Sequence, residues 1–231
     1  MVDNHSDDET SQISRDYGVR FLKKGPERSA QRNYGAKQSK GDFLMFIDSD
    51  MELTSKTVTH CVEKSINRDC DAIIIPEMTV GKGFWVKVRR LERATYIGDT
   101  LFEAARFFRR NTFSDLGGFD EEMTGSEDYD LQAKLEKNNY RIMHVDPPII
   151  HNEGNLRFGK HLMKKYYYAQ GSKKYLNTHP EKAIRQLLPL RRSFFRQWRL
   201  LLKNPVHALG LITMKTCEFL IGGLAFIRTS D

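Results

Sequence analysis

Cysteine is scarce in this chain: 231 residues contain three, Cys61, Cys70 and Cys217. The number is odd, the positions are scattered and no Cys-x-x-Cys spacing occurs. This pattern argues against a disulfide framework and a zinc site, and a reducing compartment is the simplest reading. No apolar segment opens the chain: residues 1–10 are polar and acidic, unlike a signal peptide. Internal repeats and low-complexity tracts are absent. So is a Gly-rich basic loop near the start, which nucleotidyl-transferring enzymes usually carry.

What is there is a globular composition, with 39% hydrophobic and 29% charged residues. The length suffices for one well-buried domain plus an appendage. A formal net charge of +7 favours anionic partners such as nucleotides, nucleic acid or acidic lipid surfaces, without choosing among them.

The clearest strand is 43–47, an apolar run that suits a strand buried on both faces. A helix over 56–67, capped by Thr54 or Ser55, and a buried strand at 72–75 follow. Strand, helix and strand in this order predict a βαβ unit and a largely parallel sheet flanked by helices. Other expected elements are a short strand at 17–22, helical character over 27–39 and a mostly helical stretch over 86–108. Further on come a helix over 128–137, short strands at 140–145 and 149–150, and a basic aromatic helix over 158–175. Residues 182–203 then mix arginines with Phe194, Phe195 and Trp198. Residues 206–227 are strongly apolar, broken by His207, Lys215 and Glu218. Their length approaches the ~20 residues of a bilayer span. The charged pair argues against a simple span, and its three-residue spacing lets Lys215 and Glu218 neutralise each other.

Asp48 and Asp50 stand one residue apart at the carboxyl end of the clearest strand, where open α/β sheets bind ligands. Carboxylates there suit Mg²⁺ or Mn²⁺, which prefer oxygen ligands and leave positions for phosphates. Taken alone, Asp-x-Asp is as often a solvated turn. Glu127 and Asp128 open a helix after Gly117, Gly118 and Gly125, so the backbone can pass close to a ligand. A carboxylate at such a point can act as general base, although acidic residues in a first turn also simply complement the helix dipole. His151 ends a short apolar stretch and reads either as a core histidine or as a further metal ligand. Arg28, Arg32 and Asn33 precede the Asp-x-Asp strand, where arginine can grip phosphate, or merely face solvent. Arg106, Arg109 and Arg110 form a second basic cluster with the same two readings.

In order and spacing these pieces resemble family 2 glycosyltransferases of the GT-A fold, from Val2 to about His179. Val2-Asp3-Asn4-His5-Ser6-Asp7-Asp8-Glu9-Thr10 is similar to the family's second-strand motif. Residues 27–36 are similar to its segment ahead of the metal strand, and Phe46-Ile47-Asp48-Ser49-Asp50 to its Asp-x-Asp strand. Gly117-Gly118-Phe119-Asp120-Glu121 followed by Glu127-Asp128-Tyr129-Asp130-Leu131 is similar to its acceptor-side region.

The resemblance implies an α/β, Rossmann-type domain over 1–180. The arginines, aromatics and apolar stretch after it read as a basic, apolar, membrane-associating segment over 181–231, or else as a helix covering the catalytic domain. The resemblance also implies sugar transfer, with inversion, from a nucleotide-diphosphate sugar to a hydroxyl of a glycan or lipid-linked acceptor. Asp128 would be the base. Asp3, Arg28, Arg32, Asn33 and Asp48 would bind the donor. Asp48, Asp50 and His151 would hold Mg²⁺ or Mn²⁺, and Gly117, Gly118 and Glu127 would shape the acceptor region. No nucleic-acid partner is expected, and the cytoplasmic face of a membrane is the expected location. Family members carry an earlier strand and helix before the position of Val2, so the chain reads as short at its N-terminus. An impaired relative that binds only nucleotide or membrane, and a nucleotidyltransferase, are the rival readings. The Gln-x-x-Arg-Trp of polymerising members is lacking, since Arg196-Gln197-Trp198-Arg199 is only superficially similar. A single or few-step transfer is therefore expected.

Overall fold

A computed structural model describes residues 1–228. The chain opens with β1 (Val2–Asp3), α1 (Thr10–Asp16), β2 (Leu22–Lys23) and α2 (Arg28–Gln38). Next come β3 (Phe43–Met45), β4 (Met51–Leu53), α3 (Thr57–Asn67), β5 (Ala72–Ile74), β6 (Glu77–Lys82) and α4 (Phe84–Tyr96). Then follow β7 (Ala105–Arg109), α5 (Arg110–Asp115), α6 (Glu127–Lys137), β8 (Ile142–His144) and β9 (Ile149–Asn155). The rest of the described chain is helical: α7 (Phe158–Gly171), α8 (Lys173–Thr178), α9 (Pro180–Leu187), α10 (Arg192–Arg196), α11 (Trp198–Leu202) and α12 (Pro205–Arg228).

The central sheet has the order β3-β7-β5-β8 and is mixed. β7 runs antiparallel to both β3 and β5, while β5 and β8 are parallel. Two antiparallel steps leave β3 and β5 running the same way, as the strand–helix–strand reading requires. Three of the four strands run the same way, so the sheet is mostly parallel, and the strand inserted between β3 and β5 keeps it from being wholly so. That strand, β7, lies inside the stretch read as helix to residue 108. Gly98, with φ 76°, ends the helical part in a left-handed turn. Arginine and aromatic residues continue on both sides of that turn, so composition alone does not mark the change. Similarly, the expected strand at 17–22 is mostly helix end and loop, with β2 only at Leu22–Lys23. Lys56 caps α3 without a side-chain bond; Thr54 bonds the Thr57 hydroxyl instead.

Alternation along the central strands divides the core into two layers. Leu44, Ala72, Ile74 and Phe108 pack against Ala36, Phe113, Leu131 and Leu135, from α2, α5 and α6. Ile73, Ile75 and Phe107 point the other way, against Cys61 of α3, Cys70 and Ile149. Truncating a fully buried ring such as Phe108 would cost about 3–5 kcal/mol. A second sheet, β4-β9-β6, carries chain from the ends of the central strands to one side. α12 packs along α7 and α4, burying Leu211 and Met214 with Val88, Tyr96 and Phe194.

Candidate active site

The two aspartates sit where the chain leaves one sheet for the other. After β3 the backbone turns, closed by a bond from Met51 N–H to the Asp48 carbonyl at 3.0 Å, and enters β4. Register then decides the neighbours. Met51 lies opposite His151 across β4 and β9, and Asn152 N–H donates to the Asp50 carbonyl at 2.8 Å. Thr79 of β6 lies opposite His151 on the other side, which brings Glu77, one pleat back, to the same face. As a result His151 Nε2 is 3.2 Å from Asp50 Oδ2, and Nδ1 is 3.0 Å from Glu77 Oε2.

Arg32, from α2, reaches into the same region with its side chain only 9% exposed. Its Nη2 is 2.6 Å from Asp48 and its Nη1 is 2.8 Å from Asp128. Glu127 Oε1 pairs with Arg28 Nη2 at 2.8 Å and accepts from Arg32 Nη1 at 3.4 Å. The other Glu127 oxygen is buried without a hydrogen-bond partner. Burial, with Asp128 beside it, pushes the Glu127 carboxyl above its ordinary value against the pull of both arginines. Arg106 takes the second Asp48 oxygen at 3.5 Å and Glu77 at 2.7 Å.

Burial alone would raise the Asp48 carboxyl. The guanidiniums of Arg32 and Arg106 reverse this and hold it at about 2. Asp48 is thus a firmly ionised, doubly paired carboxylate. Asp50 keeps its side chain 51% exposed toward the cleft. Burial, with Arg93 adding to it, holds His151 below its ordinary value, so the imidazole is neutral at pH 7. That is the form that ligates metal.

Of these groups Arg28, Asp48, Asp50, Glu77, Asp128 and His151 line a cleft of about 700 Å³, while Arg32 and Glu127 stand behind its wall and touch it through Asp48, Asp128 and Arg28. The volume suits a nucleotide-sized ligand. Other expected site residues lie outside its wall. Asp3, on β1, accepts from Ser6 N–H at 2.8 Å and Ser6 Oγ at 2.7 Å, and the Ser6 hydroxyl holds its carboxyl below the ordinary value. Asn33 bonds both the N–H and the carbonyl of Phe119, at 2.9 and 2.8 Å. It clamps the Gly117–Gly118 turn, where both glycines have positive φ, and a Cβ on Gly118 would meet the Asn33 oxygen at 2.7 Å.

Strand alternation splits the second basic cluster. Arg106 enters the cleft; Arg109 bonds the Ser65 and Cys70 carbonyls, and Arg110 those of Ala36 and Gly41. Glu77 and Arg93 went unnoticed in the sequence. Glu77 follows Pro76 directly beyond a buried strand, the positional signal that singled out Asp48 and Asp50.

Among the described residues no three of His, Cys, Asp and Glu gather into a ready cation cage. Asp50 and His151 offer two donors facing the cleft. Mg²⁺ and Mn²⁺ sites commonly use one or two protein groups, with phosphate oxygens and water completing the shell. The donor set present fits such an ion.

Solved structures of similar shape identify the fold. TarS residues 1–349 from S. aureus, solved with UDP-GlcNAc, aligns with a TM-score of 0.52 at 20% identity, covering 74% of this chain and 56% of that one. The mannosyltransferase PcManGT from Pyrobaculum calidifontis, solved with GDP-Man and Mn²⁺, aligns with a TM-score of 0.62 at 15% identity. That alignment covers 99% of this chain and 76% of the other. In the alignment with the UDP-GlcNAc complex, this chain spans little more than half of the TarS fragment. A search of curated protein sequences finds no match. The profile for glycosyl transferase family 2 matches residues 1–120, and that for glycosyl transferase family group 2 matches residues 87–227. Each covers more than half of the residues, and the chain belongs to glycosyl transferase family 2.

Proposed function

We propose that this protein transfers a sugar from a nucleotide-diphosphate sugar to an acceptor hydroxyl, with inversion at the anomeric carbon. The observation that carries the reading is the convergence of Asp128, Arg32, Asp48, Asp50 and His151, from distant parts of the chain, around one cleft. Asp128 takes the proton of the attacking hydroxyl. The hydroxyl oxygen bonds to the anomeric carbon, and the carbon–oxygen bond to the diphosphate breaks with its electron pair leaving on the nucleoside diphosphate. Asp50 and His151 would hold a divalent cation, which when bound supplies positive charge to the leaving diphosphate. Arg28 and Arg32 add fixed positive charge on the same side. Asp48 orients Arg32 and Arg106 through its two oxygens. The anomeric configuration of the product, read from its NMR coupling constant, tests the stereochemistry; a product that keeps the donor's configuration contradicts it.

We place the protein on the cytoplasmic face of a membrane, with α12 lying flat rather than spanning. Residues Pro205–Ile227 are long and apolar enough to cross a bilayer by length and composition. Yet Lys215 turns inward to Glu92 and Glu218, each at 2.5 Å, and Glu218 accepts from His161 at 2.7 Å. The outward side exposes Val206, Leu209, Leu220, Leu224 and Ile227, next to exposed Phe195 and Trp198. A helix with ions toward protein and apolar groups outward suits the interfacial plane. Flotation with anionic liposomes tests this; full recovery in the soluble fraction contradicts it.

A further inference from the structure

The cleft does not end at the carboxylates. It continues along α7 to Leu187, Phe219 and Gly222, the last two on α12. Most cations in its wall are neutralised by carboxylates: Arg28 by Glu127, Arg93 and Arg106 by Glu77, and Arg89, Arg191 and Lys215 by Glu92. Lys165 lies in the field of Glu218. Arg157, Lys160 and Lys164 differ. All three line the cleft and are exposed, and among the described residues none has a carboxylate within ion-pair range. Lys164 rests only on the ring of Tyr168, 5.7 Å from its centroid.

Lys160 and Lys164, four residues apart, share one stripe of α7, and Arg157 stands at its N-cap, just ahead of the first turn. Like charges so placed repel one another, and the stripe lacks the counter-charges found throughout the rest of the wall. An anion is the partner that relieves this, and ammonium and guanidinium groups on flexible stems suit a phosphate. The three cations come from α7 and its N-cap, whereas the groups suited to the donor diphosphate come from the β3–β4 turn, α2 and β9.

We propose that Arg157, Lys160 and Lys164 form a second anion subsite, which takes a phosphate group carried by the acceptor. The assignment rests on the donor occupying the Asp50–His151 end of the same cleft. A lipid phosphate and a soluble phosphate ester share this chemistry, and binding measurements separate them.

The test is calorimetric titration of the intact chain and of an Arg157→Gln, Lys160→Gln, Lys164→Gln variant. The probes are farnesyl phosphate in neutral micelles, glycerol 3-phosphate, and UDP or GDP with MnCl₂; farnesol micelles are the uncharged control. The unchanged protein should bind at least one phosphate ester. The variant should lose at least tenfold in that affinity while holding the nucleoside diphosphate within twofold. Preference for farnesyl phosphate identifies a lipid-borne group, and equal binding of glycerol 3-phosphate identifies recognition of the phosphate alone. Three results overturn the subsite: no binding of either ester, equal binding by the variant, or an equal loss of nucleoside diphosphate, which would give the stripe to the donor. Failure of the unchanged protein to bind any nucleoside diphosphate would instead count against the donor site. Because all three side chains are exposed, the variant should keep the melting temperature; if it does not, Lys160→Gln alone should lose at least threefold in phosphate-ester affinity.

Discussion

Arg32 Nη1 stands 2.8 Å from the carboxylate of Asp128, the residue proposed to take the acceptor's proton. The same guanidinium holds Asp48 with its other nitrogen at 2.6 Å. One buried arginine thereby ties the base to the Asp-x-Asp turn, although the two are far apart in sequence. Its planar fork is suited to this, and a lysine ammonium at the same place is not.

Removing Arg32 should leave Asp48, Asp128 and Glu127 facing one another with less counter-charge. Arg32→Ala is expected to lower stability by about 2–4 kcal/mol, below the fully buried limit because Asp48 and Asp128 keep some exposure. Arg32→Lys should recover only part of that. Urea denaturation midpoints check both.

Stability should also depend on acid through Asp48. The folded carboxyl sits at about 2, against 3.8 ordinarily. Between these values the unfolded chain binds more protons, so stability falls as pH falls. The contribution, roughly 2 kcal/mol, is complete above about pH 4 and gone near pH 2. Asp48→Asn should flatten this part of the stability–pH curve, measured by denaturation at stepped pH.

The buried ions beneath α12 predict an asymmetry. Glu92 is 1% exposed and faces Arg89, Arg191 and Lys215. Glu92→Gln strips three cations of their shared partner and should destabilise by about 3–5 kcal/mol. Lys215→Met should be milder. Burial pushes that ammonium down to about 8 against the pull of Glu92, and Glu92 keeps two arginines without it. Chemical denaturation of the two variants in parallel reads the difference, and equal losses would contradict it.

Much of this arrangement was legible in the sequence. Apolar runs marked β3 and β5, and two acidic residues beyond the first of them marked the turn that bears Asp50. Lys215 and Glu218 were readable as a pair from their spacing, but their buried partner Glu92 was not, because it comes from α4. β7 was hidden because Ala105–Arg109 mixes arginine with paired phenylalanines, and an inner strand covered on both faces shows no polar alternation. Glu77 and the real duty of Asn33 depend on strand register and loop contact, which no local pattern encodes.

The cation site predicts a separable pair of variants. Asp50→Ala should weaken Mn²⁺-dependent nucleoside diphosphate binding at least tenfold. Asp128→Asn should leave that binding within about twofold, since the base acts on the acceptor. Titrations with and without EDTA check this, and equal effects from both changes would contradict the division of roles.

The most direct measurement is release of nucleoside diphosphate from a panel of nucleotide sugars, by the unchanged protein and by Asp128→Asn, with MnCl₂ and with EDTA. At least one donor should be turned over, only with the cation, and the variant should be slower by about 10²–10⁴-fold while remaining folded. No turnover of any donor by the folded protein, or an unchanged rate in Asp128→Asn, would contradict the assignment of the chemistry to this cleft.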